Sequence, residues 1–353
     1  MRRASKLREL SIAVSDSATS SLTLRSLGIS DGGFLSREMR RALWLRLMEL
    51  NDQELSNAWR IEHCNFDESL MKQIGVIDAD IARCVTQWDI HSDIDKALRS
   101  RLRRELKAIL TSLVYKYGPS GFKYYQGLHE VGLLCLHVGN STQAFYLLES
   151  LVMKFLRNFV YLPFNESLIP MTEAVLFVLQ KADNDLHNKF VSSDCPAHFA
   201  VSWILTWFSH SFTDIGRLGR MFDFLISSNP PAIIYVCVSV LVYRRDILLD
   251  LPNEMPALHS TAQSLPAALS HSDVEKVLEL SLKLERAVCS ENELSSRFPE
   301  VLQDPECLRS AQVKPTRVAR LLGRSAAAAG LAIAVGVAVA LSTPNSLIKE
   351  VFK

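Results

Sequence analysis

The residues best suited to chemistry lie in two short segments, the first of which pairs a carboxylate with a guanidinium. Ile77, Asp80 and Arg83 recur at three-residue intervals. In a helix this spacing puts Arg83 on the same face as Asp80, one turn earlier, so that the carboxylate can hold the guanidinium in place. A single Asp-x-x-Arg pair is most often a surface ion pair, so this segment by itself assigns no function.

The second segment carries an uncharged amide beside a glycine. Tyr124, Gln126 and Gly127 lie in a Lys-Tyr-Tyr-Gln-Gly-Leu sequence that leads into an apolar run. Glycine in such a place permits a tight turn and a close backbone approach. Taken alone, a glutamine beside a glycine is usually just the start of a helix.

Several common catalytic motifs are absent from the sequence. GxxxxGK[ST], GxSxG and HExxH do not occur, so the chain does not itself resemble a nucleotidase, a serine hydrolase or a zincin. His129 and Glu130 lack a second histidine at metal-binding spacing, and we expect a core or surface role for each histidine. The seven cysteines are scattered without a CxxC pair, which argues against a disulfide framework and a zinc site and indicates a reducing compartment.

The composition describes a folded protein without a global charge. The 353 residues are 48% hydrophobic, enough for a substantial core, and the formal net charge is +1, so we expect no nucleic-acid partner. A local basic run at residues 96–107 is most simply a solvated helix face. The alternative for this run is contact with anionic phospholipid or with an acidic partner.

The elements that must position these residues are predicted to be helices. Leu102, Leu106, Leu113 and Tyr117 recur at spacings that place them on one helical face, and residues 144–159 and 199–212 repeat this pattern. Strand-like alternation is not apparent, so the sequence predicts an all-α fold of a dozen or so helices.

Two further predictions concern the segment after this body. Residues 251–272 are rich in proline and serine and are predicted to form a surface connector. Ser272 and Glu275 have the spacing of a capping box, which predicts a helix from there to about Val288.

The two chemical segments, in this order, resemble the TBC-domain family of Rab GTPase-activating proteins, whose signature is Ile-x-x-Asp-x-x-Arg followed by Tyr-x-Gln-Gly. The matching residues are Ile77, Asp80 and Arg83, then Tyr124, Gln126 and Gly127. The resemblance extends over residues 28–243. Leu128 departs from the usual methionine, a volume-conserving change that should matter little. Residues elsewhere that look like family positions are Gly32, Gly33, Arg40, Leu43, Trp44, Trp203, Thr206, Trp207, Phe208 and Asp223.

The resemblance implies a multi-helix TBC-type domain that completes the active site of a partner GTPase and is not itself an enzyme. Arg83 would neutralise charge on the transferred phosphoryl group, and Gln126 would position the attacking water. Asp80, Tyr124 and Gly127 would be supporting residues. The chain would need no cofactor of its own, because a Rab GTPase in its GTP form would carry GTP and Mg²⁺.

An uncharged segment at residues 325–342 is the strongest membrane signal. It contains eight alanines and six Val, Ile or Leu residues, and as a helix it would extend roughly 27 Å, close to the thickness of a hydrocarbon core. Basic residues precede it and Pro344 follows it, which predicts a tail anchor with the body in the cytoplasm. The alternative is a buried alanine-rich helix.

These observations divide the chain into six predicted parts. They are a flexible N-terminal tail (1–27), a GTPase-activating TBC domain (28–250), a helical extension and linker (251–312), a basic juxtamembrane segment (313–324), a transmembrane anchor (325–342) and a short C-terminal tail (343–353). With the anchor, residues 198–212 resemble the endoplasmic-reticulum-anchored TBC type. This implies a single-pass protein on the cytosolic face of the endoplasmic reticulum or early Golgi.

Two other classes of function stay open at this point. One is a catalytically silent TBC scaffold that binds a Rab or an effector at the membrane; the presence of both Arg83 and Gln126 disfavours it. The other is an unrelated helical tethering protein, which the absence of sequence repeats disfavours.

Overall fold

A computed structural model describes residues 2–60, 68–84 and 96–303, and these residues contain α- and 3₁₀-helices and no strand. The predicted all-α fold is therefore confirmed for this part of the chain. None of the helices in these ranges is long and apolar enough to span a membrane. The predicted anchor at 325–342, with the segments that flank it, lies outside the described residues.

In chain order, the α-helices of the described residues form two groups of nine. The first group is α1 (Arg2–Ser15), α2 (Ser21–Ile29), α3 (Arg37–Leu47), α4 (Asp52–Ser56), α5 (Glu68–Cys84), α6 (Lys96–Tyr117), α7 (Leu128–Val138), α8 (Ser141–Phe155) and α9 (Arg157–Tyr161). The second is α10 (Phe164–Ala182), α11 (Asn184–Ser192), α12 (Val201–Thr206), α13 (Ile215–Ser227), α14 (Ala232–Tyr243), α15 (Arg245–Leu249), α16 (Met255–Ser264), α17 (His271–Ala287) and α18 (Glu291–Arg297).

Two helices that are apolar on nearly every side form the centres of packing. α7 lies against α5, α6 and α8, while α14 lies between α10 and α17. A helix without a polar face is stable only when neighbours cover it all round. α6 contributes the predicted face, on which Leu106 and Leu113 are fully buried and Leu102 and Tyr117 are partly buried.

A buried carboxylate joins the N-terminal segment to α13. The Asp223 side chain, which is fully buried, accepts hydrogen bonds from Arg40 Nη2 at 2.9 Å and from Trp44 Nε1 at 2.8 Å. It also accepts the Phe34 backbone N–H at 3.0 Å. At Gly33, where φ is +53°, a Cβ atom would lie 2.6 Å from an Asp223 oxygen, so only glycine fits this approach.

The prediction of a flexible tail at residues 1–27 is wrong for its described part. α1 and α2 fold onto α3, and Leu10, Ala13 and Leu24 are buried. Lys6 Nζ donates to the Leu27 carbonyl at 2.6 Å, and Arg46 donates a hydrogen bond to the Ala13 carbonyl. These contacts attach α1 and α2 to each other and to α3.

The predictions for the segment after residue 250 also need correction. Residues 255–264 form α16, with Leu258 and Ala262 fully buried, where the sequence predicted a surface connector. The capping box of α17 is made by Ser270 and Asp273, so the cap lies two residues before the predicted Ser272 and the helix begins at His271. Glu275 is held elsewhere, because it pairs with Arg220 at 2.7 Å.

The aromatic segment at residues 199–212 is more broken than its periodicity predicts. α12 ends at Thr206, and Trp207 and Phe208 follow with φ of +50° and +66°. These values are costly for bulky residues. Both side chains are buried, and contacts of Trp207 with Phe155 and Phe222 hold the turn in place.

We predict that Asp223→Ala strongly destabilises the fold. The change leaves the guanidinium of Arg40 buried without its counter-charge, and the loss of one partner from a buried ion pair costs about 3–5 kcal/mol. Urea denaturation followed by circular dichroism measures the change in the free energy of unfolding. Asp246→Ala is the matched control, because the Asp246 side chain is 93% exposed. Equal losses in the two variants would contradict the role assigned to Asp223.

Candidate functional site

A second buried carboxylate, that of Asp80, joins α5 to the loop that precedes α7. Its side chain is only 2% exposed. One oxygen accepts from Arg83 Nη2 at 2.8 Å, within α5, and the other accepts from the Tyr124 hydroxyl at 2.7 Å. The Asp80 carboxylate therefore connects the Ile-x-x-Asp-x-x-Arg segment to the Tyr-x-Gln-Gly segment.

Within the described residues, the Arg83 guanidinium is held by one carboxylate, that of Asp80. Its side chain is 50% exposed although its ion-pair partner is buried, so it is fixed in direction and still open to solvent. The next residue, Cys84, points into the protein, and burial raises the pKa of its thiol to about 12. A thiol with this pKa stays protonated at neutral pH, so Cys84 does not supply a nucleophile.

Part of the basic run on α6 holds the C-terminal half of α5. Arg103 Nη2 donates to the Ala82 carbonyl at 2.6 Å, and Lys107 Nζ lies 2.7 Å from a carboxylate oxygen of Asp78. Arg103 contacts the residue directly before Arg83. These contacts give two of the basic side chains a structural role in addition to the solvated role that the sequence predicted.

The loop at residues 122–127 is fixed at successive positions. The backbone N–H of Lys123 donates to the Val160 carbonyl at 2.7 Å, and that of Tyr124 donates to Gln73 Oε1 at 2.8 Å. The Tyr125 hydroxyl donates to the Leu205 carbonyl at 2.9 Å. The loop is thereby attached to α5, α9 and α12, which leaves it little freedom to move.

Gln126 and Gly127 complete this loop. The Gln126 side chain is half-buried, two residues beyond the tyrosine that contacts Asp80. Gly127 is the residue before α7 and has a φ of +111°, a conformation that a residue with a Cβ atom rarely adopts. The structure therefore brings Arg83, Asp80 and Tyr124 into one chain of contacts and places Gln126 on the same fixed loop.

Gln73 is a site residue that the sequence analysis missed. It lies seven residues before Asp80 on α5, so the two side chains share a helical face and both reach Tyr124, one at its backbone and one at its hydroxyl. The available signal was the spacing of Gln73, Ile77, Asp80 and Cys84, which marks the face of α5 that lies against α7.

A group of titratable side chains lies beneath the site. His129 Nδ1 is 3.0 Å from the Tyr124 hydroxyl oxygen, and His210 Nδ1 is 2.9 Å from Glu130 Oε1. Burial lowers the pKa of His129, so its imidazole is neutral at pH 7. The sequence predicted only a core or surface role for this histidine.

Comparison with known proteins identifies related chains. A family model described as RabGAP-TBC, the Rab-GTPase-TBC domain, matches residues 37–249. The chain is 29% identical to the GTPase-activating protein gyp10 of Schizosaccharomyces pombe, over 72% of this chain and 66% of that protein. It is 26% identical to TBC1 domain family member 20 of Homo sapiens, over 90% of this chain and 78% of that protein.

A solved structure shares the fold. The crystal structure of the Chlamydomonas flagellar RabGAP TBC domain matches with a TM-score of 0.59 at 15% identity, over 79% of this chain and 90% of that one. At this level of identity the similarity concerns the arrangement of helices.

We predict that Gln73→Leu loosens the loop at residues 122–127. The substitution keeps the size of the side chain but removes the acceptor for the Tyr124 N–H, a loss of about 1 kcal/mol. Hydrogen exchange should be faster at the Tyr124 amide and unchanged in α14. Gln53→Leu on the exposed face of α4 is the control. Unchanged exchange at Tyr124 would show that this hydrogen bond does not hold the loop.

Proposed function

This chain belongs to the Rab-GTPase-TBC domain family, and from this premise we propose that it accelerates GTP hydrolysis by a Rab-family GTPase. Arg83 and Gln126 act in trans as an arginine finger and a glutamine finger. The partner binds GTP and Mg²⁺ and hydrolyses the bond between the β- and γ-phosphates. This chain is therefore an activator that completes another protein's active site. The observation that carries the proposal is the Asp80 carboxylate, which contacts both a half-exposed Arg83 and the loop at residues 122–127.

The chemistry of GTP hydrolysis explains why these two residue types are needed. Negative charge is spread over the transferred phosphoryl group and the leaving oxygen in the transition state, and an oriented water must attack in line. A guanidinium supplies positive charge and hydrogen-bond donors to that charge. A carboxamide can accept from the attacking water and donate to the phosphate, which orients the water without ionising.

The support beneath Arg83 favours this role over that of a surface ion pair. One side of the guanidinium is already bound to a buried carboxylate, so less side-chain entropy is lost when a ligand binds the exposed side. A planar guanidinium can contact Asp80 and a phosphate oxygen at once through different N–H groups. A lysine ammonium keeps the charge but lacks this planar fork.

We predict that Arg83→Ala and Arg83→Lys each reduce stimulated GTP hydrolysis by about 10³- to 10⁵-fold, which is the contribution of an arginine finger. We expect Gln126→Ala to lower the rate by orders of magnitude as well. The measurement is single-turnover phosphate release from a panel of purified Rab·GTP proteins. Arg157→Ala, an exposed arginine on α9, is the matched control and should retain the wild-type rate.

Two results of this experiment would count against the mechanism. Unchanged rates in Arg83→Ala and Gln126→Ala would remove both fingers. A wild-type chain that binds a Rab without accelerating hydrolysis would instead support the catalytically silent scaffold.

We further propose that residues 325–342 anchor the protein in a membrane of the early secretory pathway, as a single-pass protein with the TBC domain on the cytosolic face of the endoplasmic reticulum or early Golgi. The support is the uncharged composition of this segment and the basic residues before it. An anchor would confine the activator and a prenylated Rab to one surface, which raises their effective concentration without new contacts.

We predict that replacement of residues 325–342 by a Gly/Ser sequence preserves the rate with soluble Rab and lowers it with prenylated Rab on vesicles. The catalytic residues are untouched, and only the shared membrane is lost. Phosphate release from the full chain and the variant, each in solution and with vesicles, measures the difference. Equal rates of the two proteins on vesicles would contradict the anchor.

A further inference from the structure

His129 lies directly beneath the contacts that support Arg83. It is only 7% exposed, and its Nδ1 atom is 3.0 Å from the Tyr124 hydroxyl oxygen and 3.5 Å from Asp80 Oδ2. The imidazole thus reaches both partners of the bond that joins the loop to α5. The proposed catalytic mechanism gives His129 no role.

The directions of these hydrogen bonds follow from the number of protons available. The tyrosine hydroxyl has one proton, and it donates this proton to the Asp80 carboxylate at 2.7 Å. The Tyr124 oxygen can then only accept from His129, so the Nδ1 atom of His129 must carry a hydrogen. The neutral imidazole with this tautomer and the imidazolium both have that hydrogen, so the bond does not require a charged histidine.

A carboxylate and a second histidine lie on the other side of the imidazole. The Nε2 atom of His129 is 3.9 Å from Glu130 Oε1, beyond hydrogen-bond distance, and the same carboxylate oxygen is 2.9 Å from His210 Nδ1. His210 follows the turn at Trp207 and Phe208, in which both residues have positive φ. This turn, whose backbone conformation costs energy, places His210 beside the Glu130 carboxylate.

We propose that His129 is a positioning residue for Arg83, acting through three linked hydrogen bonds: His129 Nδ1–H donates to the Tyr124 hydroxyl, this hydroxyl donates to the Asp80 carboxylate, and the Arg83 guanidinium donates to the same carboxylate. A hydroxyl that accepts a hydrogen bond becomes a better donor, so His129 strengthens the hold of Tyr124 on the carboxylate. This inference rests on the proposed function, because it assigns His129 to the aim of the arginine finger.

The test compares two substitutions of His129 in the full chain. Asparagine offers an amide N–H close to the position of Nδ1, whereas leucine fills the space without a donor. We expect His129→Leu to lower the maximal rate of Rab·GTP hydrolysis about tenfold, the effect of one supporting hydrogen bond, with the half-saturating activator concentration within about twofold. We expect His129→Asn to stay within about threefold of wild type.

A matched control separates this effect from a general loss of stability. His198→Leu alters another histidine whose pKa is lowered by burial, beside α12, and it should leave the rate unchanged. Thermal melts of the three variants report their folding. Equal losses in His129→Leu and His129→Asn would overturn the proposal, as would a loss confined to the half-saturating concentration.

A double-mutant cycle tests the route through Tyr124. In a Tyr124→Phe background the chain of hydrogen bonds is already broken, so His129→Leu should cause no further loss. A loss in this background as large as that in wild type would mean that His129 does not act through Tyr124, and the proposal would fail.

One readout does not depend on catalysis. If the wild-type chain stimulates none of the Rab proteins, the proposed function fails, but ¹⁵N NMR of the histidine side chains still reports on the bonds. A neutral His129 with its hydrogen on Nδ1 supports donation from His129 to Tyr124 and from Tyr124 to Asp80. A hydrogen on Nε2 alone overturns it, because Tyr124 would then have to donate to the histidine.

Discussion

The geometry of the candidate site depends on the Asp80 carboxylate, which is buried and therefore needs partners. An ionised carboxylate with 2% exposure is stable only if groups around it compensate for the lost water. Arg83 compensates the carboxylate from the same helix, and Tyr124 donates to it from a loop 44 residues away in sequence. Because neither partner can leave without cost, α5 and the loop stay joined, and the exposed half of the guanidinium keeps one direction.

Buried carboxylates have this influence because the fold is built from helices. A helix satisfies its own backbone hydrogen bonds, so the relative placement of helices depends on side chains. Apolar packing supplies most of the stabilisation but has little directionality. Asp223 and Asp80 add directional links between distant segments: Asp223 joins α3 to α13, and Asp80 joins α5 to the loop before α7.

The site is consequently supported from two directions. Gln73 and Asp80 on α5 hold the backbone and the hydroxyl of Tyr124, and Tyr125 attaches the same loop to α12. On the far side the loop continues through Gly127 into α7, one of the most deeply buried helices. A rigid support of this kind lets a few side chains remain partly exposed without losing their orientation, which is the condition for acting on a partner's active site.

The sequence by itself determined the helical class, the buried face of α6 and the Ile77–Asp80–Arg83 spacing, because each is recorded in residues within a few turns of one another. It also indicated the family, through the types and order of two short motifs. Only the tertiary structure decided the contact of Asp80 with Tyr124, the roles of Gln73 and His129, and the packing of α1 and α2. In α17 both kinds of contact occur, because Ser270 and Asp273 cap the helix locally while Arg220 holds Glu275 from the distant α13. Contacts between distant segments have no local period, and they form only when folding brings the helices together.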